Sequence, residues 1–565
     1  MSNLHFLGAL LAVVAMGLIG RPAAARAEED NDARARAFVA RHEATIRPME
    51  IEVGRRWWEA NISGKEEVYR QKEKAETELD LRLADPKTFA ELKAIKEGKV
   101  RDKVLARQID VLYLQYIAKQ VDPGLLKQMV LKANAIERAF NVYRPKVGGK
   151  ELTDNEVRRI LRQSKDSAQR QAVWEAGKGV GRVVEKDLKE LVKLRNEAAR
   201  KLGFADYDKM QLALAEQSQE QVLRLFDELD ELTREPFRQA KAELDAVLAA
   251  NCGIPAGKLQ PWHYHDPFFQ ESPAIFGSQN EAVYAPIDIL KTCREFYAGI
   301  GLPVDDVLRR SDLYERPGKN PHAFSTDIDR EGDVRVLCNI VQDRQWLGTT
   351  MHELGHSVYS SKNIPRGIPY VLRCESHPLT TEGIAMMFER FIDNPDWLKA
   401  MGAAVPEPEK FRAAAVKVRR NQLLIFSRWC QVMFRFEKEL YANPDQDLNK
   451  LWWDLVQKYQ EVKRPAGRNE PDYAAKIHVI IAPVYYHNYQ MGELFASQVH
   501  HALVREVLKG GDPSAAIYVG NKAAGRFLVQ KVFAPGRTLD WNQLTRHATG
   551  EELNAKAFAE DLQSR

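Results

Sequence analysis

Between about residues 32 and 250 almost nothing in the sequence would interrupt a helix. The stretch is rich in Ala, Leu, Glu, Lys and Arg, with apolar residues at helical spacing, as in Leu188, Leu191 and Leu194 or Val222, Leu225 and Leu229. Glycine and proline punctuate it sparsely, at Pro123-Gly124, Gly148-Gly149 and Gly203. That sparseness suits short turns between long antiparallel helices and predicts a mostly α fold. No heptad persists and no self-similar period recurs, which argues against a coiled coil and against repeat architectures.

At 565 residues the chain exceeds the usual size of one core, so several domains or one large helical body divided into subdomains is expected. A formal net charge of +4 over that length implies no polyanion partner and hence no nucleic-acid binding. Residues 6–20 are almost wholly apolar, and Ala25-Arg26-Ala27 precedes the acidic Glu28-Glu29-Asp30. This pattern reads as a secretory signal peptide over residues 1–27, with retention as an anchor the alternative. No later run reaches the roughly 18 apolar residues of a membrane span, so residues 28–565 are expected to be secreted or periplasmic without stable membrane insertion. Five cysteines (252, 293, 338, 374 and 430) lack any close-spaced pair and cannot form a cysteine-based zinc site. One or two disulfides are compatible with an oxidising compartment.

Around residues 251–303 the texture changes, with Trp262-His263-Tyr264-His265 followed by Pro267-Phe268-Phe269. Such a segment either lines a cleft or plugs the space between helices. Near residues 322–341 two short strand-like runs flank the turn cluster Asp329-Arg330-Glu331-Gly332-Asp333, which predicts a small β-hairpin. Helices are expected again from Arg344 to the C-terminus.

His352-Glu353-Leu354-Gly355-His356 carries the chemistry. Two histidines four apart on a helix point the same way and can hold one metal ion, with the glutamate between them as base. Leu347, Met351, Leu354 and Val358 make a core-facing stripe beside them. A catalytic zinc needs a third protein ligand and an open position. Glu382 is the candidate, since it follows Pro378 and the possible caps Thr380 and Thr381 and opens a helix striped by Ile384, Met387, Phe388, Phe391 and Ile392.

The pentapeptide, followed by Arg373-Cys374-Glu375 and Thr381-Glu382-Gly383, resembles the angiotensin-converting-enzyme family of zinc dipeptidyl carboxypeptidases. Similarity continues at Trp174-Glu175, at Pro321-His322-Ala323-Phe324-Ser325, at Trp452-Trp453, at Lys476-Ile477-His478 and from Pro483 to Tyr489, so it spans most of the chain. The resemblance implies one peptidase domain over residues 28–565. Two subdomains would flank a deep groove, with a gluzincin-type zinc helix on its floor and N-terminal helices as a lid over its mouth.

It also implies roles. His352, His356 and Glu382 would bind one Zn2+, Glu353 would act as the base, and His478 and Tyr489 would stabilise the transition state. His322 and Ala323 would hold the peptide backbone, while Lys476 and Tyr486 would hold the free C-terminal carboxylate of a short peptide, with Tyr485 a rival for Tyr486. The arginines that hold chloride in the family correspond to Lys178, Val456 and Asn488, so chloride activation is not carried over. Cys338 matches half of a family disulfide whose other half is Pro321 here. Near Trp262 and His265 the family's carboxylate-binding glutamine is not evident. A related zinc oligopeptidase is therefore the second reading, and a zinc-retaining protein that binds peptides without turnover is the third.

Overall fold

In the computed structural model of the protein, the described residues run from 23 to 563, apart from 274 and 276–280. The leader over residues 1–27 lies almost wholly outside them. The structure is 69% helical with two small antiparallel sheets. Among the described residues no helix is long and apolar enough to cross a membrane.

The N-terminal half is helical as its spacing predicts, with Ala23–Ser63, Glu66–Leu83, Pro86–Glu97, Lys103–Ile117 and Pro123–Val142 leading to the long Gln219–Cys252. Acidic caps set several boundaries: Asp85, Asp102 and Asp122 each accept backbone N–H groups of the first turn they precede. Pro123-Gly124, read as a turn, instead opens a helix. Pro123 occupies a first-turn position, where its missing N–H costs nothing and its ring presets φ. Gly148-Gly149 joins a short hairpin, Lys146–Val147 with Lys150–Glu151, that helical spacing did not foretell. Both glycines have positive φ, 58° and 81°, as a tight two-residue hairpin turn demands.

The hairpin expected near residues 322–341 is present as Phe324–Asp327 paired antiparallel with Val334–Leu337, in register Phe324 to Leu337 and Asp327 to Val334. Among the described residues it has only these two strands, so one edge of Phe324–Asp327 is left unpaired there. The ring of Trp57, from the first helix, lies 4.3 Å from that of Phe324.

Buried apolar residues gather in separate cores. The largest joins the helices Arg344–Val358, Pro378–Glu389, Pro408–Ala442 and Tyr486–Glu506. A second belongs to the N-terminal helices, through Phe38, Ile46, Leu92, Ile109 and Leu112, and takes in Val371 and Leu372 from the body. Between the two the contacts include polar ones. Arg107 pairs with Glu216 and donates to the Arg537 carbonyl, and Glu50 accepts from Tyr370. All five cysteines are free thiols, so the disulfides compatible with the sequence are not formed.

Candidate metal centre

The pentapeptide lies on Arg344–Val358, a helix begun by Asp343, whose carboxylate accepts the Trp346 N–H at 2.7 Å. Leu347, Met351, Leu354 and Val358 are all essentially buried, as the stripe predicts, which turns the histidine pair toward a cavity of about 380 Å³. Gly355 permits the next contact. A Cβ there would sit 2.7 Å from the Ala385 Cα, closer than packed side chains allow, so the bare backbone lets Pro378–Glu389 lie directly against the motif helix.

That second helix starts at Pro378 and is capped by His377, whose ring accepts the Leu379 N–H at 3.0 Å. The caps expected at Thr380 and Thr381 are therefore displaced upstream, because Pro378 presets φ and has no N–H to satisfy. Gly383 brings a third helix to the site. A Cβ there would meet the Gly492 carbonyl at 2.7 Å and the Phe495 ring at 2.8 Å. Gly383→Ala is expected to destabilise the fold by about 1–3 kcal/mol and to weaken metal retention by shifting Glu382. Thermal unfolding and metal content per chain are the measurements.

His352, His356 and Glu382 converge. The two Nε2 atoms are 3.1 Å apart, and the Glu382 oxygens lie 3.6 Å from His352 and 3.5 Å from His356. Four-coordinate zinc with bonds of about 2.0–2.1 Å spaces its donors about 3.3 Å apart, so the trio fits this ion. The outer nitrogens are held too. His352 Nδ1 pairs with Glu389 Oε2 at 3.0 Å and His356 Nδ1 with Thr381 Oγ1 at 2.8 Å, leaving each Nε2 to face the cavity. Glu389 was not foreseen. It lies seven residues beyond Glu382 on one helix, the two-turn spacing that repeats a face.

Burial alone would depress both histidines. It does so for His356, lowered to about 3 with help from the His352 charge. At His352 burial is outweighed by the hydrogen bond it donates to Glu389 and by the charges of Glu382, Glu389 and Glu353, which raise it to about 9. A site this negative favours a cation. Glu353 is buried beside the trio and pushed up to about 7 mainly by burial, against the pull of His352 and with Glu382 and Glu389 adding to the rise.

A family model described as angiotensin-converting enzyme matches residues 29–563. The chain belongs to the angiotensin-converting enzyme family. This family is zinc-dependent, which agrees with the donor set. The chain is 23% identical over 287 residues to the angiotensin-converting enzyme of Theromyzon tessulatum, covering 49% of this chain and 46% of that one. It is 25% identical over 252 residues to an angiotensin-converting enzyme-related protein of Drosophila melanogaster, covering 42% of this chain and 39% of that protein. It is 23% identical over 416 residues to the enzyme of Mesocricetus auratus, covering 68% of this chain and 31% of the other. The chain thus spans less than half the length of these three relatives.

The other residues that the angiotensin-converting enzyme resemblance singles out surround this centre unevenly. Ala323 lines the same cavity as His352 and Glu353, and Glu353 accepts a backbone hydrogen bond from Ser325 on the unpaired strand. His322 does not reach the cavity wall. It is exposed just before the strand, its N–H given to Asn320 Oδ1 at 2.9 Å.

Tyr489 feels the Glu382 charge, and burial leads the rise in its pKa. His478 is lowered to about 4, chiefly by burial, so its ring is neutral, and its Nδ1 has no hydrogen-bond partner among the described residues. The Lys476 ammonium lies 5.4 Å from the centre of the Tyr486 ring and between Phe268 and Trp429. Both Tyr485 and Tyr486 pack on Tyr489, and Tyr485 feels the Glu382 charge, while the Tyr486 ring is the one near the lysine.

Downstream of Trp262 and His265, where the family's glutamine is not evident in the sequence, Gln270 Oε1 accepts from Lys476 Nζ at 2.6 Å. The aromatic stretch divides along its length. Trp262 packs on Trp174 as a plug, while Phe268 and Gln270 at its far end reach the lysine. At the positions matched to chloride-binding arginines, the Lys178 ammonium is buried 3.2 Å from the Phe268 ring centre and lowered to about 7 by that burial. Asn488 accepts from Gln217 at 2.8 Å, and Val456 is buried.

Proposed function

We propose that this chain is a zinc metallopeptidase that releases dipeptides from the free C-termini of short peptides, exported by its N-terminal leader. The observation that carries the reading is the pairing of two groups: the His352, His356 and Glu382 trio, and a buried lysine held by Gln270 beside Tyr486. The first suits hydrolysis. The second offers a fixed cation to a peptide's terminal carboxylate.

Zinc held by His352, His356 and Glu382 would supply Lewis-acid polarisation of the scissile carbonyl and of the attacking water. Glu353, held near neutral pH by its burial, takes the proton from that water and later delivers it to the leaving amine. Tyr489 and neutral His478 donate hydrogen bonds to the carbonyl oxygen as it gains charge. The unpaired edge at Ala323 and Phe324–Asp327 offers backbone groups to an extended peptide, a mode tolerant of side-chain identity.

The second reading, an oligopeptidase without end recognition, drew its support from the lack of an evident glutamine near Trp262 and His265; the Gln270 contact to Lys476 supports the first reading instead. Products from a free-acid peptide and its amide, identified by mass spectrometry with and without chelator, separate the two readings. Dipeptides from the free acid alone, lost on chelation, are the expected result; equal cleavage of the amide would favour the oligopeptidase. Rates are expected to be unchanged when chloride is exchanged for a larger inert anion, because Val456 and Asn488 bring no cation to the positions matched to the chloride-binding arginines.

A further inference from the structure

A second cavity, of about 90 Å³, shares no lining residue with the metal cavity. Its walls include Met387, Phe391 and Leu423, and four arginines (390, 412, 419 and 420) meet only two aspartates there, 393 and 561. Both aspartates are already engaged. Asp393 takes a two-pronged contact from Arg344 at 2.9 and 2.6 Å, and Asp561 accepts from Ser497 and His501, each at 2.7 Å.

Arg390 is satisfied by Glu493 at 2.5 Å and by Ser497 at 3.1 Å, and Arg412 by Asp396 at 2.9 Å. Arg420 comes within 3.8 Å of Glu243, yet its Nε is buried without a partner. Arg419 makes no direct hydrogen bond or ion pair among the described residues. Burial and the charge of Arg390 lower its pKa to about 10, against the charges of Asp561, Glu493 and Asp393. His500 adds no further positive charge, because burial keeps it neutral, and both its nitrogens are engaged, by Tyr518 and by the Pro513 carbonyl.

An unpaired guanidinium facing a cavity is costly, and its planar donors match a carboxylate. We propose that this cavity binds a small organic carboxylate, its oxygens on Arg419 with Arg420 and its apolar part against Phe391 and Leu423. The space exceeds what one water needs, and the mixed wall suits a ligand with one charged and one apolar end.

Benzoate, acetate and inorganic phosphate, each titrated into the full-length chain at fixed ionic strength with thermal unfolding and calorimetry as readouts, test the proposal. Benzoate is expected to bind saturably and raise Tm, with acetate weaker. Arg419→Met is expected to raise Tm in buffer alone by removing the uncompensated charge, and to weaken benzoate binding by about tenfold or more. Leu423→Trp fills the cavity while keeping every charge, and is expected to abolish binding as well. A benzoate response that survives in both variants, binding of phosphate without benzoate, or no saturable binding at all would overturn the proposal.

Discussion

Glu353→Gln is expected to lower turnover of a free-acid peptide by about 10²–10⁴-fold while leaving one zinc per chain. Glutamine keeps the size and the hydrogen-bonding reach of the side chain but cannot accept and return the proton. The three proposed metal-binding side chains are untouched, and the helix remains fixed by its buried stripe and by Gly355 against Ala385. Metal analysis and single-turnover rates measured on the same preparation separate loss of the base from loss of the ion. Unchanged turnover would sink the proposed role of Glu353.

The next largest effect is expected at the far end of the substrate. Lys476→Met should lower kcat/KM for free-acid peptides by about 10²–10³-fold, the cost of stranding a buried carboxylate without its cation. Amidated peptides should already be poor substrates and lose little more, so the two changes should not add. The pH profile supplies an independent readout. Burial, opposed by Asp266 and Glu271, lowers the Lys476 ammonium to about 8. The free enzyme is therefore expected to hold the charged lysine below that pH and to lose it above, so kcat/KM for free acids should fall as pH rises through about 8. The Lys476→Met variant should lack that descending limb. An equal loss on amidated peptides would show that Lys476 supports the fold and not the carboxylate.

Much of this site was legible before any coordinates, for a physical reason. Helical spacing is regular, so Leu347, Met351, Leu354 and Val358 reveal which face is buried and therefore where His352 and His356 point. Glu382 was visible as an acid near the start of a second striped helix, although the helix begins at Pro378 and puts it in the second turn, not the first, and the family resemblance gave it a role. Gln270 was not legible. It follows a stretch without periodicity, where no spacing rule says which side chain turns inward, and its partner Lys476 is 206 residues away. Glu389 was missed because an acid near a helix end looks like a solvated residue until the facing histidine is known. Tyr485 and Tyr486 could not be told apart by counting, since one residue of loop length decides between them; in the structure both rings pack on Tyr489, and it is the Tyr486 ring that lies near the Lys476 ammonium.

The N-terminal helices share an apolar core that takes in only Val371 and Leu372 among the described buried residues of the body, and Arg107, Glu216, Glu50 and Tyr370 add polar contacts between them and the body. Parts stabilised by different interactions need not melt together. Raising ionic strength weakens ion pairs and leaves hydrocarbon packing nearly untouched, so added salt should speed amide exchange in Lys103–Ile117 more than in Arg344–Val358. The helices from Ala23–Ser63 to Lys103–Ile117 would then behave as a cooperative unit of lower stability, detachable in its fluctuations while the catalytic helices stay closed to solvent.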